Sequence, residues 1–304
     1  MTGLAWFRLN RELSSWRSLG VKPRLWWRDD DARDATEALD RLLRAAAGMP
    51  LSLAVIPHGA RPSLAQRLTR AGNVTVSQHG VDHQNHLGSG DRAGEYPAGT
   101  AAGRIAVHIR KGEQYLQQCG LSARFYTPPW HRISAQLAEA LPIAGYRDLS
   151  GWNGDEAACC IGLNRLDVHV DLLRWKGPPR FRGSDRVLDD VRAQLAQRRT
   201  EGCLTQPIGL LTNHLALDAK AWDFLGWFLD YARPRFEIGG YYDFLNEAAP
   251  SHLFDRPGIL RDHAIGGQEK NSLHHGLRHK NAIEGIGMKG RQPADSDRML
   301  SGHG

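Results

Sequence analysis

The chain has 304 residues, 41% hydrophobic and 24% charged, an ordinary globular composition with enough length for one barrel-sized domain or two smaller ones. Its formal net charge is +6, but Lys and Arg are scattered and form no block that could track a phosphate backbone, which argues against a nucleic-acid partner. No run approaches the ~20 uninterrupted apolar residues of a membrane span, and residues 1–20 mix Arg8, Arg11, Glu12 and Arg17 among apolar ones, unlike a secretory signal, so a cytoplasmic location is expected.

Residues 1–22 read as an N-terminal helical extension. From there to about residue 240, short apolar runs rich in β-branched or aromatic residues alternate with segments of helical period. Seven strands are expected, at 24–28, 51–56, 74–78, 124–127, 146–149, 166–170 and 208–212. Helices are expected between them at 36–47, 63–71, 101–118, 134–141, 185–200 and 219–231, several with Asp or Ser near the start and Gly just past the end. A repeated strand-helix unit implies parallel strands, in an open doubly wound sheet or a closed barrel. Residues 251–304 lose the apolar period and read as a flexible tail, whose His274, His275 and His279 belong to a solvated run. Cys119, Cys159, Cys160 and Cys203 lack metal-type spacing and read as reduced thiols.

Both architectures put chemistry at the C-terminal ends of the strands. Reactive residues stand there: Asp29-Asp30-Asp31 after the first strand, His79 after the third, Pro128-Pro129-Trp130 after the fourth, Asp171 after the sixth, Asn213-His214 after the seventh. Three adjacent carboxylates at a buried strand end raise one another's pKa, a cost that a divalent cation removes; for Asp29 alone, a place at the N-terminus of the following helix accounts for the charge. His79 and His83, four apart, can face one point. Two imidazoles and a carboxylate leave open positions on zinc, iron or cobalt, as a catalytic site does. His86 is a rival ligand that ranks behind His83, because Gln84 and Asn85 beside it suit a hydrogen-bonded polar loop.

These residues resemble the motifs of the polysaccharide deacetylases, carbohydrate esterase family 4. Asp30-Asp31-Ala32 is similar to the family's first motif, and the resemblance makes Asp30 the catalytic base and Asp31 a metal ligand. His79-Gly80-Val81-Asp82-His83 is similar to the second, with Gly80 where the family has a hydroxyl, and makes His79 and His83 the other ligands. The third motif places an Arg before a Pro-rich turn; residues 125–130 keep the turn with Pro129 and Trp130, while the nearest basic residues are Arg124 and Arg132. Asp171 and Trp175 resemble the fourth motif at looser spacing, and residues 210–214 the fifth, which makes His214 the general acid.

The resemblance runs from about residue 24 to 218 and implies a polysaccharide deacetylase-like domain over 23–250, a distorted (β/α) barrel of about seven parallel strands of the glycoside hydrolase/deacetylase type. It also implies a divalent metal, zinc foremost with cobalt, nickel or iron as substitutes, and a carbohydrate substrate that loses an N-acetyl or O-acetyl group. Pro129, Trp130, Asp171 and Trp175 would bind that substrate, and backbone N–H groups after Pro129 would hold the oxyanion. Two rival readings keep the fold: hydrolysis of another amide or a small acylated sugar, and a non-catalytic carbohydrate-binding or regulatory relative. Retention of Asp30 and His214 argues against the last.

Overall fold

The structure, a computed structural model, describes residues 3–88, 90, 92–152 and 162–248. Cys159, Cys160 and the expected tail with His274, His275 and His279 lie outside the described residues.

Helix α1 (Gly3–Ser18) leads into β1 (Arg24–Ala32), α2 (Glu37–Ala46), β2 (Leu51–Val55), α3 (Pro62–Thr69), β3 (Val74–His79) and α4 (Ala102–Gln118). Then come β4 (Phe125–Thr127), a single 3-10 turn (Pro129–His131), α5 (Ala135–Ala144), β5 (Asp148–Leu149), β6 (Asn164–Arg165) and β7 (Val170–Asp171). A small antiparallel pair, β8 (Leu173–Arg174) and β9 (Arg180–Phe181), precedes α6 (Ser184–Thr200), β10 (Ile208–Thr212), α7 (Ala219–Ala232), β11 (Glu237–Ile238) and α8 (Tyr241–Ala248). The helix starts follow local capping chemistry: the side chains of Thr36, Ser134 and Asp218 each accept from the backbone N–H three residues on.

The large sheet runs β6-β5-β4-β3-β2-β1-β10-β7, all parallel. Its two ends are successive parts of one segment. Leu166 and Val168 donate to the carbonyls of Leu149 and Gly151 beside β5, and His169 then donates to the Gly209 carbonyl beside β10. Residues 164–171 therefore form a seventh stave that bonds β5 with its first half and β10 with its second. The expected distorted barrel of seven parallel strands is the fold that forms. β11 adds to the β1 edge at Arg24 and Leu25, before β2 begins to pair there at Arg28.

Strand alternation sorts β1 between two cores. Leu25 and Trp27 face the outer layer, where helices α1, α2, α6 and α7 pack. Trp26 faces the barrel interior with Phe125, Val168 and Leu211, and Tyr241 of α8 plugs that interior, its ring stacked on Phe125 and its hydroxyl on the Leu149 carbonyl at 2.9 Å. Helix α1 buries Ala5, Leu9, Leu13 and Trp16 in the outer core, and its Glu12 pairs with Arg199 of α6 at 2.7 Å. This packing fixes the end of β1, where the carboxylates emerge.

Candidate metal centre and active site

Adjacent residues of a regular strand point to opposite faces, so Asp29, Asp30 and Asp31 cannot all share one site without a break in the pleat. The register of β1 on β2 slips between Asp29 and Ala32, and Asp31 adopts a left-handed φ of 73°. Such a bulge re-aims a side chain; here it brings both Asp30 and Asp31 onto the wall of one cavity of about 280 Å³. Asp29 stays on the far face, fully buried, and does not serve the following helix, whose N-cap is Thr36. It instead accepts from Thr212 Oγ1 at 2.6 Å and faces His214 Nδ1 at 2.6 Å. The three carboxylates do not share one cation, because each has a partner of its own.

For Asp30 that partner is Arg28, one pleat earlier on the same face. Arg28 is fully buried, and its Nε and Nη2 donate to the two Asp30 oxygens at 2.8 and 3.1 Å. Nη1 donates to the carbonyl and hydroxyl of Ser150 at 2.9 and 2.6 Å, and Nη2 also reaches His131 Nδ1 at 3.0 Å. Such a bidentate pair fixes a carboxylate in place and orientation. Arg28 of β1 thus orients Asp30, and the two basic residues flanking the Pro-rich turn do not: Arg124 stacks on Tyr242, and Arg132 lines a neighbouring cavity.

Asp31 meets the two histidines. His79 Nε2 and His83 Nε2 lie 3.2 and 3.5 Å from Asp31 Oδ1, and the three ligand atoms fall within 4.8 Å of one another. His79 Nδ1 sits 3.0 Å from the Thr127 carbonyl, which requires the proton on Nδ1 and leaves the Nε2 lone pair facing Asp31 in the neutral ring. Asp31 Oδ2 accepts from Asn213 at 2.5 Å, while Oδ1 is buried with no hydrogen-bond partner. Burial would raise the Asp31 pKa, but His79, His83 and Asn213 outweigh it and hold the carboxyl well below the usual range. Burial opposes the charged form of His79 too, yet Asp31 and Asp30 raise its pKa. At His83, burial and the nearby His79 prevail and lower it. An orphaned carboxylate oxygen facing two imidazole nitrogens is a donor set that fits a divalent cation. His86 turns instead to Asp82, at 3.3 Å.

The loop that presents His83 is held by a residue the sequence reading passed over. Glu95 Oε1 accepts from the successive backbone N–H groups of Val81, Asp82 and His83 at 2.7, 2.9 and 3.1 Å. This explains Gly80. With φ at +61°, a Cβ there would lie 2.4 Å from Pro129 Cγ and 2.7 Å from Glu95 Oε2, so glycine is demanded by both backbone and space. Glu95 supplies the side-chain acceptor for this turn that Gly80 cannot.

Trp130 and Trp175 also line the cavity, Trp130 with its ring centroid 4.4 Å from that of His83. Trp175 is half exposed and donates Nε1–H to Asp171 Oδ2 at 2.7 Å; burial pushes the Asp171 carboxyl up to about 6. Pro129 is buried against Gly80 and faces a neighbouring cavity of about 520 Å³ rather than the one lined by Asp31, His79 and His83. His214 is nearly fully buried and is not among the residues lining the cavity that holds Asp30 and Asp31, where Asn213 stands beside Asp31. Burial would lower its pKa, but the Asp29 carboxylate raises it.

No family model and no curated protein matches the chain. Solved structures to which its fold is similar include a family 4 acetyl xylan esterase from Clostridium thermocellum in complex with a cobalt ion (12% identity, 74% of this chain and 91% of that one, TM-score 0.45). They also include the T48 deacetylase with substrate (15%, 75% and 93%, 0.47) and a CE4 family pseudoenzyme from Bacillus anthracis (15%, 74% and 66%, 0.48).

Proposed function

We propose that the chain is a metal-dependent hydrolase that removes an acetyl group, from nitrogen or oxygen, on an amino-sugar-containing carbohydrate. The observation that carries this reading is the buried Asp31 Oδ1, which lacks a hydrogen bond and faces the Nε2 atoms of His79 and His83, beside a second carboxylate, Asp30, that Arg28 holds separately. Asp31, His79 and His83 would hold a divalent ion, zinc foremost, and such an ion when bound acidifies water and polarises an acyl oxygen.

Asp30 is the base. Arg28 occupies both its oxygens from behind without displacing it from the cavity wall, so it is oriented to take a proton from the attacking water. The Asp29–His214 pair is the proton store for the departing amine or alkoxide: Asp29 accepts from Nδ1–H and favours the charged imidazole. Because His214 is buried and does not line the cavity, delivery of that proton requires a shift of the wall at Asn213 when substrate binds. Trp130 and Trp175, both on the cavity wall, are the surfaces on which a sugar ring would pack.

The test is metal content together with acetate release. Wild-type protein should hold about one equivalent of zinc, and Asp31→Ala and His79→Ala should lose it; retention in both removes the proposed site. Acetate release should then be sought across chitin oligomers, peptidoglycan fragments and small acetylated sugars. Asp30→Asn should keep the metal and lose the activity, and an unchanged rate would show that the base is another group.

A further inference from the structure

We propose that His131 is a fixed hydrogen-bond donor of the metal cavity, a neutral imidazole that presents Nε2–H to an oxygen of the bound acyl group and takes no proton itself. The assignment rests on the hydrolase reading for the identity of that group, and on Arg28 for the rest.

The five N–H groups of Arg28 are all directed at acceptors: one from Nε to Asp30, two from Nη1 to Ser150, and two from Nη2 to Asp30 and His131 Nδ1. A guanidinium has no lone pair to offer, so His131 Nδ1, 3.0 Å from Nη2, must be the acceptor. The ring proton of a neutral imidazole then sits on Nε2. Geometry sets this tautomer, and the surroundings keep it: burial and the Arg28 charge lower the His131 pKa to about 3, so the ring does not charge at neutral pH.

Nε2 makes no hydrogen bond with a described residue, and it is not among the buried polar atoms left without a partner. His131 lines the same cavity as Asp30, Asp31 and His83, and with Nδ1 turned to Arg28 its opposite nitrogen is the one free to meet a ligand. The backbone is held for this purpose. Trp130 and His131 both have left-handed φ, 50° and 57°, in consecutive non-glycine residues, and the Trp152 ring lies 5.8 Å from the imidazole.

Arg28 therefore sets two neighbouring groups of opposite character. Toward the cavity Asp30 offers only acceptors and His131 only its Nε2–H donor, and the two share the Nη2 group. A ligand that fits this pair carries an acceptor oxygen next to the bond under attack, as an acyl group does. A neutral donor stabilises charge that grows on that oxygen without giving up its proton, so His131 would serve in transition-state binding and not in proton transfer.

The experiment uses the full chain labelled with nitrogen-15. In the metal-free protein at neutral pH, His131 should show a bare Nδ1 and a protonated Nε2. Acetate, the probe, titrated into zinc-loaded protein, should shift the Nε2–H resonance. His131→Leu should bind acetate about tenfold more weakly, as expected for loss of a hydrogen bond to a charged group. His131→Asn, which tolerates the left-handed backbone and offers an amide N–H, should recover part of that loss. An Nδ1–H tautomer or an imidazolium at neutral pH overturns the proposal, as does acetate binding to His131→Leu at wild-type strength. The tautomer is read without metal, so a chain that fails to take up zinc counts against the hydrolase reading and not against this assignment.

Discussion

Replacing Arg28 with Met is the most informative single perturbation of the site. The Arg28 and Asp30 side chains are 0% and 9% exposed, and the guanidinium spans both carboxylate oxygens. Methionine fills much of the same volume but leaves Asp30 a buried charge with no counterion, and the Ser150 carbonyl and His131 Nδ1 lose their donor. Removing one partner of a buried pair costs about 3–5 kcal/mol, most of it the penalty of the stranded charge. Adding Asp30→Asn removes that charge, so Arg28→Met with Asp30→Asn should be more stable than Arg28→Met alone, with a coupling of roughly 1–3 kcal/mol. Urea unfolding followed by tryptophan fluorescence measures all three variants on one scale, with a common slope as the check that the unfolded state has not changed. If Arg28→Met is too unstable to purify, Arg28→Lys keeps the charge but not the two-pronged contact and should lose about half as much. A cost for Arg28→Met below ~1 kcal/mol, or a double variant no more stable than the single one, would refute the claim that Arg28 holds Asp30.

Zinc at about one hundred times its dissociation constant should stabilise the protein by ~2.7 kcal/mol, roughly 5–11 °C in a melting scan, and the shift should vanish in Asp31→Ala; an equal shift in that variant places the ion elsewhere. Gly80→Ala should lower stability by about 1–3 kcal/mol in urea unfolding, because its Cβ would meet Pro129 at 2.4 Å in a left-handed backbone. Glu95→Ala should weaken zinc about 10–100-fold by isothermal titration while leaving circular dichroism unchanged, whereas Glu95→Gln, which keeps the acceptor oxygen, should lose far less; equal losses would mean that the three N–H bonds are not what holds His83. Asp171, with its pKa raised to about 6 in the folded state and ordinary when unfolded, disfavours folding above pH ~6 and ceases to do so as it protonates. Relative to Asp171→Asn, the wild type should therefore gain up to ~3 kcal/mol as the pH falls from about 7 to about 4, and a flat difference across that range would contradict the raised value.

The seven staves were legible because apolar runs of four to six residues report buried strands whatever surrounds them. The closure was not: residues 164–171 pair with β5 and then β10, two-residue contacts too short to leave a period. The pair β8 and β9 escaped for the same reason. Helix α5 was expected to stop before Pro142, yet it runs on to Ala144 and closes at Gly145 with φ of 102°, because Leu141 and Ala144 are buried against the α4 side of the barrel. In the site, Asp31, His79 and His83 follow from strand-end position and spacing. Arg28 was visible, two residues before Asp30 and hence on its face, but an arginine at the end of an apolar run reads as a strand boundary. Glu95 left no local signal, since its partners lie 12 to 14 residues away on a loop.

Backbone strain locates the site independently of any motif. Among the described residues, five that are not glycine have left-handed φ: Asp31, Ala47, His83, Trp130 and His131. Ala47 caps α2, where such a conformation is routine. The other four all line the one cavity that also holds Asp30 and His79. Each costs on the order of 1 kcal/mol or more, roughly 4 kcal/mol together, against a total stability of about 5–15 kcal/mol for a domain. A core has no use for that expense, since unstrained residues would fill the same space. The strain persists because the surrounding contacts impose it: the β1 bulge on Asp31, Glu95 on His83, and the 3-10 turn on Trp130 and His131. What the four residues gain is direction, with Asp31 turned to the imidazoles and His131 turned to Arg28. Three separate devices, setting four residues around one 280 Å³ cavity, are the expected mark of side chains positioned for a ligand.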